Sequence, residues 1–146
     1  MRISLASDHA GFTLKEEIKK FFDENNYQYH DFGAFDQEPV DYPDLAYLAA
    51  RAVQKGDCER GIIVCGTGIG VCMAANKLKG IRAAHCGESF SARFCRQHND
   101  ANILTLGSRV IGVGLALEIA QIFLETPFEG GRHRRRVAKI HRLEGS

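Results

Sequence analysis

The stretch Cys65-Gly66-Thr67-Gly68-Ile69-Gly70 puts a thiol, a hydroxyl and three glycines side by side. Glycines between a strand and a helix let the backbone come close to a ligand. Free N–H groups there, with a helix dipole behind them, can hold an anion or a developing oxyanion. A thiol just ahead of a helix N-terminus has its ionised form favoured, which suits a base or nucleophile. Thr67 either moves a proton or donates to an oxygen in such a loop, or it caps the helix. The loop is not a dinucleotide fingerprint, because the third glycine would fall on Val71, and it lacks the Gly-Lys-Ser/Thr of a nucleotide P-loop. Val71 also stands where a cysteine phosphatase would want an arginine. The plain alternative is a tight turn packed for steric reasons.

Other groups suited to chemistry are scattered along the chain. Asp8-His9 follows the first apolar run, Gly107-Ser108-Arg109 follows another, and His98-Asn99-Asp100 lies between two periodic segments. By itself, a histidine in the last setting is more often a surface or capping residue than a catalytic one. Near the end, Arg132, Arg134, Arg135, Arg136, Lys139 and Arg142 crowd together without an acid among them, while the preceding chain is net acidic. That tail is either a solvated helix or an anion site. It is too short, and too poor in aromatics, for a nucleic-acid surface. His9 and the arginines suit a phosphate.

Parallel strands and helices must position these residues. Ile3–Ser7 reads as a strand, and Leu14, Ile18, Phe21 and Phe22 follow with helical spacing. Tyr27–Phe32 is a second strand. Leu45, Leu48, Ala49, Ala52 and Val53 form a second helical stripe, with Pro43 suited to its first turn. Gly61–Cys65 is a continuous apolar strand, as expected for one buried on both faces. The glycine loop then opens a helix ending near Lys77. Ile81–His85, Ser89–Gln97, Asn102–Leu106 and Leu115–Leu124 continue the alternation, and a helix carrying Val137, Ile140 and Leu143 closes it. Repeated βα units imply one α/β domain over residues 1–146, a parallel sheet with helices on both faces. Ligands in such sheets bind beyond the carboxyl ends of the strands, where Asp8-His9 and Cys65–Gly70 fall.

The bulk numbers narrow the classes further. A net charge of +1 gives no global pull toward nucleic acid or membrane. Five cysteines, an odd number with no CxxC, suggest neither a disulfide framework nor a zinc site, and free thiols suit a reducing, cytoplasmic setting. Cys58 and Cys72 read as inert buried thiols. The first residues read as a strand and not as a leader, and no apolar run is long enough to span a membrane.

Taken in order, Ser7-Asp8-His9-Ala10-Gly11, Asp41-Tyr42-Pro43, Cys65 to Gly70, Ala74-Ala75-Asn76-Lys77, Gly80-Ile81-Arg82-Ala83, Arg96-Gln97-His98-Asn99-Asp100, Gly107-Ser108-Arg109 and Gly130-Gly131-Arg132-His133 make a specific pattern. With them the chain resembles, over nearly its whole length, the type B ribose-5-phosphate isomerases and the galactose-6-phosphate isomerases grouped with them. The resemblance implies a flavodoxin-like or Rossmann-like sandwich with a five-stranded sheet. It also implies a homodimer, or a dimer of dimers, with active sites between subunits. By it, Asp8, His9, Tyr42, Cys65 and Thr67 come from one chain. His98, Asn99, Arg109, Arg132 and Arg136 come from the other, so that residues 131–146 reach across the interface.

The resemblance further implies an aldose–ketose isomerase of a phosphorylated sugar, with neither cofactor nor metal. Cys65 would be the base, since the form of the family that uses a glutamate would carry it where Val71 stands. Thr67 would assist proton traffic, and His98, with Asp8, would open the sugar ring. Gly66, Gly68 and Gly70 would supply backbone donors, and His9, Arg109, Arg132 and Arg136 would hold phosphate. A six-carbon sugar phosphate is the rival substrate, and a non-catalytic phosphosugar-binding module the rival class. Cys72-Met73 and His85-Cys86-Gly87 depart from the pattern.

Overall fold

The computed structural model describes residues 1–145. Five strands and six helices alternate: β1 (Arg2–Ser7), α1 (Phe12–Glu24), β2 (Gln28–Asp31), α2 (Tyr42–Gln54), β3 (Arg60–Cys65), α3 (Ile69–Ala75), β4 (Ala83–His85), α4 (Ser89–Gln97), β5 (Ile103–Gly107), α5 (Val113–Glu125) and α6 (Arg132–Leu143). The strands form one sheet in the order β2-β1-β3-β5-β4, every neighbouring pair parallel. The first three positions follow the flavodoxin order, and the last two strands exchange places. The short β4 therefore takes the edge, and the long apolar β5 is protected inside.

The alternation of side chains along the central strands divides the core in two. Ile3, Leu5, Ile62, Val64, Leu104 and Leu106 face α1, α4 and α5, where Leu14, Ile18, Phe22, Ile119 and Phe123 meet them. Ala6, Ile63, Cys65 and Ile103 face α2 and α3. Both faces of β3 and β5 are fully covered, which is why those strands read as unbroken apolar runs. The α2 side is built from Ala46, Ala49 and Ala50, all fully buried. Small residues let α2 lie close to the sheet, and the buried Ser4 hydroxyl donates to the Ala49 carbonyl at 2.9 Å.

The expected elements are present with shifted ends. Pro43 lies in the first turn of α2. β4 is only three residues, because Ile81 turns into the core beside α3 and does not join the ladder. No helix among the described residues is long and apolar enough to cross a membrane.

Candidate active site

Three loops at the carboxyl end of the sheet are laced together by their backbones. Beyond β1, the Asp8 N–H donates to the Val64 carbonyl at 3.2 Å, and Asp8 Oδ1 accepts from the Gly11 N–H at 3.0 Å. Beyond β5, the Ser108 and Arg109 N–H groups donate to the Cys65 and Gly66 carbonyls at 2.9 and 3.0 Å. The Ser108 hydroxyl donates to Ala10 O at 2.8 Å. Gly107 permits this closeness, since a Cβ there would stand 2.5 Å from the Thr67 carbonyl oxygen.

Cys65 sits where β3 runs into this knot, 5% exposed. The Gly68 N–H donates to its Sγ at 3.1 Å. Gly68 reaches that position with φ +79, and a Cβ on it would meet the His85 ring at 2.6 Å. Thr67 Oγ1 accepts from the Ile69 N–H at 3.2 Å, two residues on at the start of α3 whose N-cap is Gly68, and its own proton stays available. Among the described residues, the Gly66 and Thr67 N–H groups donate to no protein acceptor. Tyr42 opens α2 with its ring over Gly70, which places it on the same loop. His9 Nδ1 accepts from the Val40 N–H at 3.2 Å, which assigns the proton of a neutral imidazole to Nε2. Asp8, His9, Tyr42, Cys65, Gly66, Thr67, Gly68 and Gly70 are thus gathered at one end of the sheet. Arg109 joins them. Expected with the second half of the site, it lies instead with its guanidinium against Gly66 of its own chain.

His98, Asn99, Arg132 and Arg136 are elsewhere. His98 closes α4, its N–H bonded to the Phe94 carbonyl at 2.9 Å, and Asn99 follows just before β5 begins. In a parallel sheet the start of β5 lies at the opposite end from the end of β3, a strand length of about 17–20 Å away. The first turn of α6 packs there. Its His133 is stacked on His98, centroids 4.2 Å apart and planes 13° apart. Burial, reinforced by the charges of His98 and Arg132, holds the His133 imidazole below the usual histidine range. Arg132 and Arg136 are exposed and one helical turn apart at the α6 N-terminus, where the helix dipole also favours an anion.

This second half holds a feature that residue spacing did not suggest. Glu129 and His133 are four residues apart across the start of α6, and His98 comes from the end of α4; their potential ligand atoms lie within 4.8 Å of one another. The same end of the molecule contains a 670 Å³ cavity between the β4 edge and α6, lined by Leu78, Ile81, Arg82, Asn99, Ile140 and Glu144 among others. It lies away from Cys65, and α6 is clamped across it by Arg82 against His141 and by the Gly80 N–H on Glu144.

Comparison with known proteins gives these two halves a context. A family model described as Ribose/Galactose Isomerase matches residues 3–140. The ribose-5-phosphate isomerase B of Escherichia coli is 46% identical over 143 residues, 98% of this chain and 96% of that protein. The solved structure of ribose-5-phosphate isomerase B from Clostridium thermocellum superposes with a TM-score of 0.98 at 52% identity, covering 99% of this chain and 98% of that one. The Mycoplasma genitalium enzyme, solved with bound ribulose-5-phosphate, gives 0.94 at 44% identity, covering 99% and 97%. Relatives also include a D-erythrulose-4-phosphate isomerase from Pectobacterium atrosepticum, 41% identical over 96% of this chain and 93% of its own.

Proposed function

The chain belongs to the ribose/galactose isomerase family, and on that premise we propose that it interconverts D-ribose 5-phosphate and D-ribulose 5-phosphate through a cis-enediolate, with Cys65 as the base. The observation that carries this reading is the position of Cys65 Sγ: at the strand end, inside a loop whose Gly68 N–H points at it from 3.1 Å. A homodimer completes the site. His98, Asn99, Arg132 and Arg136 of the partner subunit close over the Cys65 loop, which no chain can do for itself.

His98 of the partner subunit moves the proton that opens the furanose ring, with Asp8 opposite it. The Cys65 thiolate then takes the C2 proton of the open aldose, and the electron pair left at C2 forms the C1–C2 double bond as negative charge passes to O1. The free N–H groups of Gly66 and Thr67 stabilise that oxygen; losing one such donor typically costs roughly 3–4 kcal/mol of barrier. Thr67 passes a proton between O1 and O2, and Cys65 returns its proton to C1. His9 and the arginines of both halves hold the phosphate and fix C2 against the sulfur. Every proton taken is given back, so the reaction itself calls for no redox partner.

Deuterium wash-in from labelled solvent tests the base. Cys65→Ala is expected to abolish exchange at the transferred position while phosphate-sugar binding persists. Exchange at the native rate would remove Cys65 from the mechanism. Four- and six-carbon sugar phosphates belong in the same assay, because a relative acts on a four-carbon substrate. The ribose assignment requires the five-carbon pair to give the highest kcat/KM, and a higher value on another length overturns it.

A further inference from the structure

Two imidazoles and a carboxylate converge at the end of the molecule away from Cys65. His98 ends α4, Glu129 lies in the segment before α6, and His133 is in the first turn of α6. His133 Nε2 and Glu129 Oε2 are 3.5 Å apart. Two ligands of a tetrahedral ion with bonds of about 2.1 Å stand about 3.4 Å apart, so this pair is already spaced for one. The remaining nitrogen, on His98, is within 4.8 Å of both partners. Its ring lies stacked on that of His133, planes 13° apart, whereas an ion sits in the plane of each imidazole that holds it. The His98 ring must therefore turn out of the stack to another rotamer and bring its nitrogen closer by up to about 1.4 Å. The backbone on either side is fixed: the Glu129 N–H donates to the Gln97 carbonyl at 3.1 Å, and the His133 N–H to the Gly130 carbonyl at 3.1 Å.

We propose that His98, Glu129 and His133 form a binding site for a divalent transition-metal ion of the zinc class, and that occupancy withdraws the His98 imidazole from proton transfer. The second clause rests on the ring-opening role proposed for His98; the first does not. Two histidines and a glutamate are a donor set zinc accepts, leaving a fourth position to water. Magnesium and calcium, which want all-oxygen shells, are poor fits. A metal takes the neutral imidazole. Arg132 and Arg136 stand on the same first turns of α6 as His133. The same arginines oppose the ion, and the Glu129 carboxylate offsets them.

The test uses the full-length protein freed of metal by a chelator. Zn²⁺ is titrated by calorimetry, and Co²⁺ is used as an optical probe. One ion per chain is expected, with a Co²⁺ spectrum of nitrogen and oxygen ligands and no thiolate charge-transfer band. Glu129→Gln, at a half-exposed side chain whose loss should not unfold the protein, is expected to weaken Zn²⁺ binding at least about tenfold. A thiolate band, or affinity unchanged in both Glu129→Gln and His133→Asn, overturns the site. Turnover is the separate readout. Zn²⁺ is expected to inhibit the native enzyme, a chelator to restore it, and Glu129→Gln to need correspondingly more Zn²⁺. Zinc bound with the nitrogen–oxygen signature but without effect on turnover would leave the site standing and overturn the withdrawal of His98, along with its ring-opening role.

Discussion

Lys15 is a charged residue with no exposed surface. Its Nζ meets both Asp31 oxygens at 2.7 Å, and Lys19 and the Gly33 N–H reach the same carboxylate at 3.0 and 2.8 Å. A buried charge left without its partner typically costs about 3–5 kcal/mol. Lys15 stays buried in Asp31→Asn, so that substitution is expected to lower the urea midpoint by a loss of this order at neutral pH. Burial by itself would raise the Asp31 carboxyl, but the bonds from Lys15, Gly33 and Lys19 outweigh it and hold it below the usual range. The stabilisation this represents is full above the unfolded carboxylate value of about 3.9 and fades as pH falls through the lower folded value. The stability gap between the native protein and Asp31→Asn should therefore be wide at pH 7 and shrink in acid. A gap that stays constant down to pH 2 would mean that Asp31 contributes through packing alone.

At the scale of elements, the turn from β3 into α3 is where local geometry and function are tied together. Gly68→Ala would force a side chain onto a backbone with φ +79 and set its Cβ 2.8 Å from the Leu106 carbonyl carbon as well as 2.6 Å from His85. The left-handed conformation costs about 1–2 kcal/mol and the overpacking about 1–3 more. Because the Gly68 N–H is the donor to Cys65, turnover should fall further than thermal stability does. Trimming His85 in the same chain should not rescue it, since the Leu106 backbone cannot yield. Melting temperature and kcat measured together check both points. The elements themselves were legible because their signals are local: the Leu14, Ile18, Phe22 stripe makes the buried face of α1, and the apolar run before Cys65 makes a strand covered on both sides. Strand order was not legible, since nothing local tells β5 to lie inside β4. The Asp8 and Cys65 loops could be found because a parallel sheet sends all its strand ends one way. Arg109 was placed with the wrong half because a loop's path over its neighbour has no signature in residue spacing. Glu129 and His133, four residues apart, went unremarked as a possible ligand pair because only the fold brings the distant His98 to them.

The whole molecule presents one half of the proposed site at each end of its sheet. That arrangement can be tested without a complex structure. Cys65→Ala and His98→Asn proteins should each be nearly inactive. Unfolded together and refolded, they should recover about a quarter of native activity, because half the twofold dimers are hybrids and each hybrid has one of its two sites intact. Activity that stays at the level of the separate variants would mean that both groups serve within a single chain. The distance between Cys65 and His98 has a further consequence. On the proposed two-chain site, a lone folded subunit would carry every group the chemistry asks for and would not turn over sugar, because no bending of a rigid sheet brings its two poles together. Catalytic output in a dilute solution would then track the population of pairs rather than of chains, and the subunit contact would act as an on-switch set by abundance.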